Sequence, residues 1–369
     1  MSAARSGPLT GLRVLEVAGI GPGPFCGMLL ADLGADVAVI ERADAGSSSR
    51  TTHAIFNRGK RSVPADLKTP QGVETVLSLV EHCDALIEGM RPGVMERLGL
   101  GPDVCAARNP KLVYGRMTGW GQTGPLAPVA GHDLNYIALS GALWYAGQPG
   151  TAPLVPPTVV GDIGGGALYL TIGILSAVMN ARTTGRGQVV DAAIVDGSAH
   201  MLNLLLSLRP SGQLVSERGK SLLDGPHWYS TYRCADGHFV SVGSLEPKFY
   251  QLLLTKLGLD ADPAFADAYR RESWPALRAT FADLFAQRTR AQWCELLEGS
   301  DACFAPVLTP EEAAAHPHLR ARNIYSETNG VLQVNPAPRF SATPSSPPLP
   351  MIRDANADAV LRDWAARGT

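Results

Sequence analysis

The chain has 369 residues, 45% of them hydrophobic and 18% charged, a globular composition with room for two domains. Its formal net charge is −2 and no Lys/Arg run stands out, which argues against a nucleic-acid partner. Six cysteines (Cys26, Cys83, Cys105, Cys234, Cys294, Cys303) are scattered without CxxC spacing, so neither a zinc site nor a disulfide framework is expected, and reduced thiols point to a cytoplasmic location. The opening MSAARSGPLTGLRVLEV carries no apolar signal region, and the apolar run Ala167–Met179 is too short to span a bilayer; no membrane partner is expected.

Leu12–Val17 (LRVLEV) reads as a buried strand, Ala18–Pro24 (AGIGPGP) as a turn, and FCGMLLADLGA as a helix ending near Gly34. Asp36–Glu41 (DVAVIE) reads as a second strand, giving a βαβ opening and a parallel, Rossmann-like sheet. The turn is a poor dinucleotide fingerprint. Pro24 occupies its third glycine position, and Pro22 and Pro24 lack the N–H groups that cradle a pyrophosphate. Arg42, at the end of the second strand, can pair with a phosphate or serve as a solvated surface cation. Arg58, Lys60, Arg61 and Lys68 add positive charge nearby. Val63–Gly72, Asp84–Gly101 and Leu112–Pro125 each read as a strand running into a turn with Arg, Lys or Gly. This repetition predicts a site at the carboxyl edge of the sheet and an extended, phosphate-bearing ligand.

The most informative stretch runs from GHDLNY (Gly131–Tyr136) to GDIGGG (Gly161–Gly166). His132 and Asp162 stand beside glycines at its two ends. Two acid/base groups held apart can exchange one proton on opposite sides of a carbon. The blander alternatives are a hydrogen-bonded loop histidine and an aspartate that caps the helix running to Arg182. Three glycines at a helix start cost about 1 kcal/mol each relative to Ala, which fits a backbone approached closely by a ligand and N–H groups offered to an oxyanion. Beyond this helix a strand and helix fill Gly185–Leu205, residues 206–228 read as a linker, and a hairpin turning at Ala235–Gly237 opens a smaller α+β domain over 229–325. The large domain then comprises 1–205, completed by 326–369.

LTGLRVLEVAGIGPGPFCGMLLADLGADVAVIER, the ADLK at Ala65–Lys68, RPGVMERLGLG, MTGWGQTGP, GHDLNY, GDIGGG and GRGQVVDAAIVDGS agree in order and spacing with one family. The chain resembles the family III CoA-transferase superfamily, and within it the racemase branch. The resemblance implies an interlocked homodimer of α/β protomers that bind an acyl-CoA thioester and interconvert 2R- and 2S-methylacyl-CoA without a metal or separate cofactor. It makes His132 and Asp162 the two bases and brings Glu246, from SLEPKFY, to support His132. It places Arg42, Ala65, Asp66, Leu67, Lys68, Gly89, Met90, Arg91 and Arg97 along CoA, with Gly131, Asp133, Leu134, Asn135 and Tyr136 also binding. Two alternatives stay open: a CoA-transferase that uses Asp162 as covalent nucleophile, and a non-catalytic acyl-CoA binder.

Overall fold

The computed structural model describes residues 5–42, 55–353 and 355–366. Six parallel strands form its main sheet: β1 (Arg13–Val17), β2 (Asp36–Glu41), β3 (Arg61–Pro64), β4 (Ala85–Glu88), β5 (Val113–Thr118) and β6 (Val189–Ala193). Their order is β3-β2-β1-β4-β5-β6. Crossovers that first step outward from β1 and then return to its other side produce this doubly wound arrangement. The central strands are buried at nearly every position because both faces are covered. On one face Val14, Val37, Ile87 and Val113 pack with Cys26 and Leu30 of α1 (Pro22–Asp32) and with Leu170, Ile174 and Val178 of the helix Leu168–Thr184. On the other, Leu15, Ile40, Leu86 and Tyr114 pack with Val76 and Leu79 of the helix Pro70–Val80 and with Val360 and Trp364 of the last helix.

Two compact units emerge. The first holds the chain up to Leu143, Val155–Leu202 and the residues from Glu327 onward; the second holds Trp144–Leu154 and Asn203–Ser326. The second carries the antiparallel sheet β7-β8-β9 (Tyr229–Arg233, Phe239–Gly243, Phe304–Val307) over an aromatic core that includes Trp228, Phe281, Phe285 and Trp293. Residues 206–228 are therefore not a bare linker. They bury Leu214, Ser221, His227 and Trp228, and the His227 ring packs on Trp228, Tyr250 and Phe281. Likewise 144–154 clusters with the second unit and not with the first. Neither segment has a helical or alternating pattern, so periodicity misses its buried residues.

Three of the cations expected near a ligand are buried instead in ion pairs. Arg58 forks onto Asp32, with 2.9 Å from Nε to Oδ1. Arg61 joins Asp36 at 2.5 Å and Asp363 at 2.9 Å. Lys60 is fully buried, its Nζ donating to Glu16 Oε2 at 2.7 Å and to the Pro24 carbonyl at 2.9 Å. Gly27 makes room for this pair, since a Cβ there would stand 1.9 Å from Glu16 Oε2.

The segment expected to start a capped helix at Asp162 is a π-helix, Val159–Ala167, continuing into Leu168–Thr184. Together they form 26 residues, long and apolar enough by length and composition to cross a membrane. One face nevertheless packs on the sheet: a Cβ at Gly115 would lie 3.1 Å from the Ile174 side chain. The glycines serve helix packing as well. A Cβ at Gly165 would sit 2.4 Å from Ser198 Oγ, and one at Gly197 would sit 1.9 Å from the Gly165 carbonyl oxygen. They bring the π-helix against the helix Ile194–Met201, which answers for their cost in helix stability.

Lys60→Ala strands a buried carboxylate and should cost about 3–5 kcal/mol in urea unfolding, whereas Lys60→Met combined with Glu16→Leu should recover most of the loss. A single-mutant cost below about 1 kcal/mol, the scale of an exposed pair, contradicts this assignment.

Candidate active site

The strand order reverses direction between β1 and β4, and the loops leaving the carboxyl ends of such strands open a crevice. A cavity of ≈ 360 Å³ lies there, within the first unit. Its walls come from the loop after β1 (Gly19–Pro22), the loop after β4 (Gly89–Pro92), the end of β5 with Trp120, the segment Val129–His132, and Asp162. The volume suits one small group more than a whole extended ligand.

Each wall has a local cause. Gly21 has φ 72°, a left-handed conformation that glycine reaches without strain, and a Cβ there would be 3.3 Å from Asp162 Oδ2. The turn after β1 is thereby folded beside the Asp162 carboxylate. The loop after β4 is held from below. Glu88 Oε2 accepts the Met90 N–H at 2.6 Å, and its Oε1 accepts Arg116 Nε at 2.8 Å. Gly119 and Gly131 give way to Tyr136, because a Cβ would stand 2.0 Å and 2.7 Å from its ring. Trp120 meets that ring edge-on at 4.7 Å, and the Tyr136 hydroxyl donates to the Gly131 carbonyl.

His132 is the N-cap residue of the helix Asp133–Ser140, extended at φ −135° and ψ 172°. Its N–H donates to Asn135 Oδ1 at 3.1 Å, which fixes the backbone and leaves the exposed imidazole on the cavity wall. Asp162 reaches the same cavity from the π-helix and does not cap a helix. Burial first, then the negative charge of Asp133, pushes its carboxyl up to about 6, with His132 opposing. Asp162 N–H donates to Asp133 Oδ1 at 2.7 Å, so that amide is not offered to an oxyanion.

The other expected binding residues do not all reach the cavity. Gly89, Met90, Arg91, Gly131 and Tyr136 line the cavity with His132 and Asp162. Arg42, Ala65, Asp66, Leu67 and Lys68 do not; they follow β2 and β3, farther along the same carboxyl edge. Arg42 and Lys68 are exposed there, while Ala65 N–H donates to the Glu41 carbonyl at 2.8 Å and Asp66 Oδ1 accepts Lys68 N–H at 3.0 Å. Arg97 is exposed, its guanidinium 3.2 Å from where a Gly93 Cβ would be. Asp133 is buried; neither it nor the exposed Leu134 and Asn135 lines the cavity, and Asn135 acts on the His132 backbone. Glu246 belongs to the second unit, exposed ahead of the helix Pro247–Leu257. Sequence reasoning passed over Ile20, Thr118, Trp120 and Val129, which line the cavity. Ile20 is 84% exposed, and an isoleucine at the tip of AGIGPGP was the one visible hint. Among the described residues no group of three or more His, Cys, Asp or Glu side chains gathers as for a metal ion.

The profile of CoA-transferase family III matches residues 9–353. The chain belongs to that family. The alpha-methylacyl-CoA racemase of Mus musculus is 44% identical over 92% of this chain and 88% of its own length, and that of Homo sapiens is 42% identical with the same coverage. A CoA-transferase is among the more distant relatives: the succinyl-CoA–D-citramalate CoA-transferase of Chloroflexus aurantiacus is 33% identical over 91% of this chain and 89% of its own. The crystal structure of a CAIB/BAIF family protein from Brucella suis superposes with a TM-score of 0.82, at 30% identity, covering 97% of this chain and 100% of that one. The mixed α/β architecture with its parallel six-stranded sheet is thus the family's fold.

The raised Asp162 carboxyl has a consequence for stability. Its folded pKa lies above the unfolded 3.8, so its contribution is full below that value and is lost as pH rises through about 6. Asp162→Asn should therefore raise stability at pH 8 by about 1 kcal/mol, after allowance for solvent screening, and hardly at all at pH 4. Thermal unfolding at the two pH values measures the difference; an equal effect at both contradicts it.

Proposed function

We propose that this protein interconverts 2R- and 2S-methylacyl-CoA thioesters by exchange of the α-proton through an enolate. The observation that carries the reading is the meeting of His132 and Asp162 on the walls of one cavity at the switch point of the sheet. A carboxyl titrating near 6 is ionised enough at neutral pH to accept a proton and basic enough to be protonated in turn. In one direction neutral His132 takes the proton from C2 while the protonated Asp162 delivers one to the other face. In the reverse direction the roles exchange. The C–H bond broken on one face is replaced by one formed on the other. No oxidant, metal or resident cofactor is consumed, and CoA is part of the substrate. The enolate's negative charge would face the N-terminal end of the helix that begins at His132, where the dipole favours it.

The rest of CoA would extend along the carboxyl edge, past Gly89–Arg91 and Arg97 toward Ala65–Lys68, with Arg42 at a phosphate of the adenosine end. Glu246 would come from the second unit of a partner chain to support His132, in an interlocked homodimer. The six free cysteines suit a reducing, cytoplasmic setting. The competing reading is CoA transfer with Asp162 as nucleophile, the activity named for several relatives at 29–37% identity. A histidine facing the same cavity favours proton exchange, since a covalent aspartyl route has no need of it.

A pure 2R-methylacyl-CoA incubated with the protein in deuterated water should epimerise and gain one deuterium at C2, and the 2S-thioester should behave alike. Absence of exchange, together with CoA transfer to a free carboxylic acid, overturns this reading in favour of the transferase.

A further inference from the structure

Asp133 lies beside a reacting group without lining the cavity. It is 5% exposed, absent from the cavity wall, and one residue from His132. Its Oδ1 accepts the Asp162 N–H at 2.7 Å, across a sequence separation of 29 residues. We propose that the buried Asp133 carboxylate is a positioning residue for Asp162: it pins the π-helical turn that carries the base and supplies the like charge that makes Asp162 a ready donor as well as acceptor of the α-proton. This inference rests on the two-base reading above.

Three observations support it. A π-helix leaves its first N–H groups without intrahelical partners, and Asp133 supplies an acceptor for one of them. The approach is built in, because a Cβ at Gly161 would stand 2.6 Å from Asp133 Oδ1. Asp133 also occupies the first turn of its own helix, where the macrodipole favours a carboxylate, and among the described residues no salt bridge reaches either aspartate.

The remaining charged groups around the π-helix are committed elsewhere or lie outside. Gly21, just ahead of α1, faces Asp162; on α1, Asp32 is paired with Arg58, and the Cys26 thiol accepts from Thr171. On the helix Ile194–Met201, Asp196 and His200 are exposed, and His200 is bonded to Tyr169 of the helix Leu168–Thr184, whose Arg182 is also exposed in its last turn. On β5, Arg116 is held by Glu88 and Glu96 and the Tyr114 hydroxyl donates to the Leu100 carbonyl; on β6, Asp191 accepts from Gln122. His132 opposes the rise of the Asp162 carboxyl, and Arg91 stands on the cavity wall beside Tyr136. Asp133 is then the like charge that acts on Asp162.

Asp133→Asn keeps an oxygen acceptor for the Asp162 N–H and removes the charge. In the pH dependence of C2 deuterium exchange from one enantiomer, the acid limb should move down by about one pH unit, and Asp133→Ala should lose exchange at every pH. A second readout needs no turnover. The stabilisation gained by Asp162→Asn at pH 8 relative to pH 4 should shrink in the Asp133→Asn background. If Asp133→Asn does not fold, Gly161→Ala, which displaces the Asp133 carboxylate, should lower the acid limb in the same way. An acid limb that stays in place, or a stabilisation by Asp162→Asn that is identical with and without Asp133, overturns the proposal. Should the wild type show no exchange at all, the two-base reading fails while the stability comparison still reports the coupling.

Discussion

The fully buried contact of Lys60 with Glu16 and the Pro24 carbonyl is the constraint on which the site's geometry depends. Lys60 precedes β3, Glu16 lies on β1, and Pro24 sits in the first turn of α1. One ammonium group therefore ties the start of α1 to two strands. A Lys–Glu pair out of water is expensive unless its geometry is good and further hydrogen bonds complete it. Here the Pro24 carbonyl supplies one. With α1 fixed, the turn at Gly21 has one course, and that course runs beside Asp162. The rigidity that catalysis by positioned groups requires thus begins at Pro24, which itself lines the cavity.

Close backbone packing carries that rigidity across the site. Gly119 and Gly131 admit the Tyr136 ring, Gly161 admits Asp133, and Gly165 and Gly197 let two helices touch. Each contact leaves little slack for the residues that bear His132 and Asp162. The two residues come from separate elements, one from the mouth of an α-helix and one from a π-helical turn, so neither can shift without the packing between them shifting. The same arrangement gives them different electrostatic surroundings. His132 stays exposed, while Asp162 is partly buried against a second carboxylate. Separation of two titrating groups by environment is how one cavity can hold both a donor and an acceptor near neutral pH.

Much of this was legible from residue order. DVAVIE and LRVLEV are mostly apolar because parallel strands are covered on both faces, and β2 matches its sequence boundaries at Asp36 and Glu41. The site at the carboxyl edge followed from strands that end in Gly and Arg, and His132 and Asp162 do share a cavity. Other features were hidden for physical reasons. Arg58, Lys60 and Arg61 look like ligand-facing charge until the folded chain supplies Asp32, Glu16 and Asp36, 25 to 44 residues away. The glycine triplet looks like a helix start open to a ligand, yet its partner is the helix Ile194–Met201, about thirty residues on, which no local pattern reveals. A π-helix has no sequence period of its own to find. Asp133 appears as a binding residue in GHDLNY, and only tertiary packing shows that its oxygen meets the Asp162 amide.

The central claim is that His132 and Asp162 act on opposite faces of one α-carbon. It is tested most directly by enantiomer-resolved deuterium exchange at C2 with His132→Ala and Asp162→Asn, folded fraction being checked by circular dichroism. Each protein should lose racemisation by about 10²–10⁴-fold, the worth of one positioned acid/base group, and any residual exchange should favour opposite enantiomers in the two mutants. Full racemisation by His132→Ala, or the same enantiomer preferred by both mutants, contradicts the account.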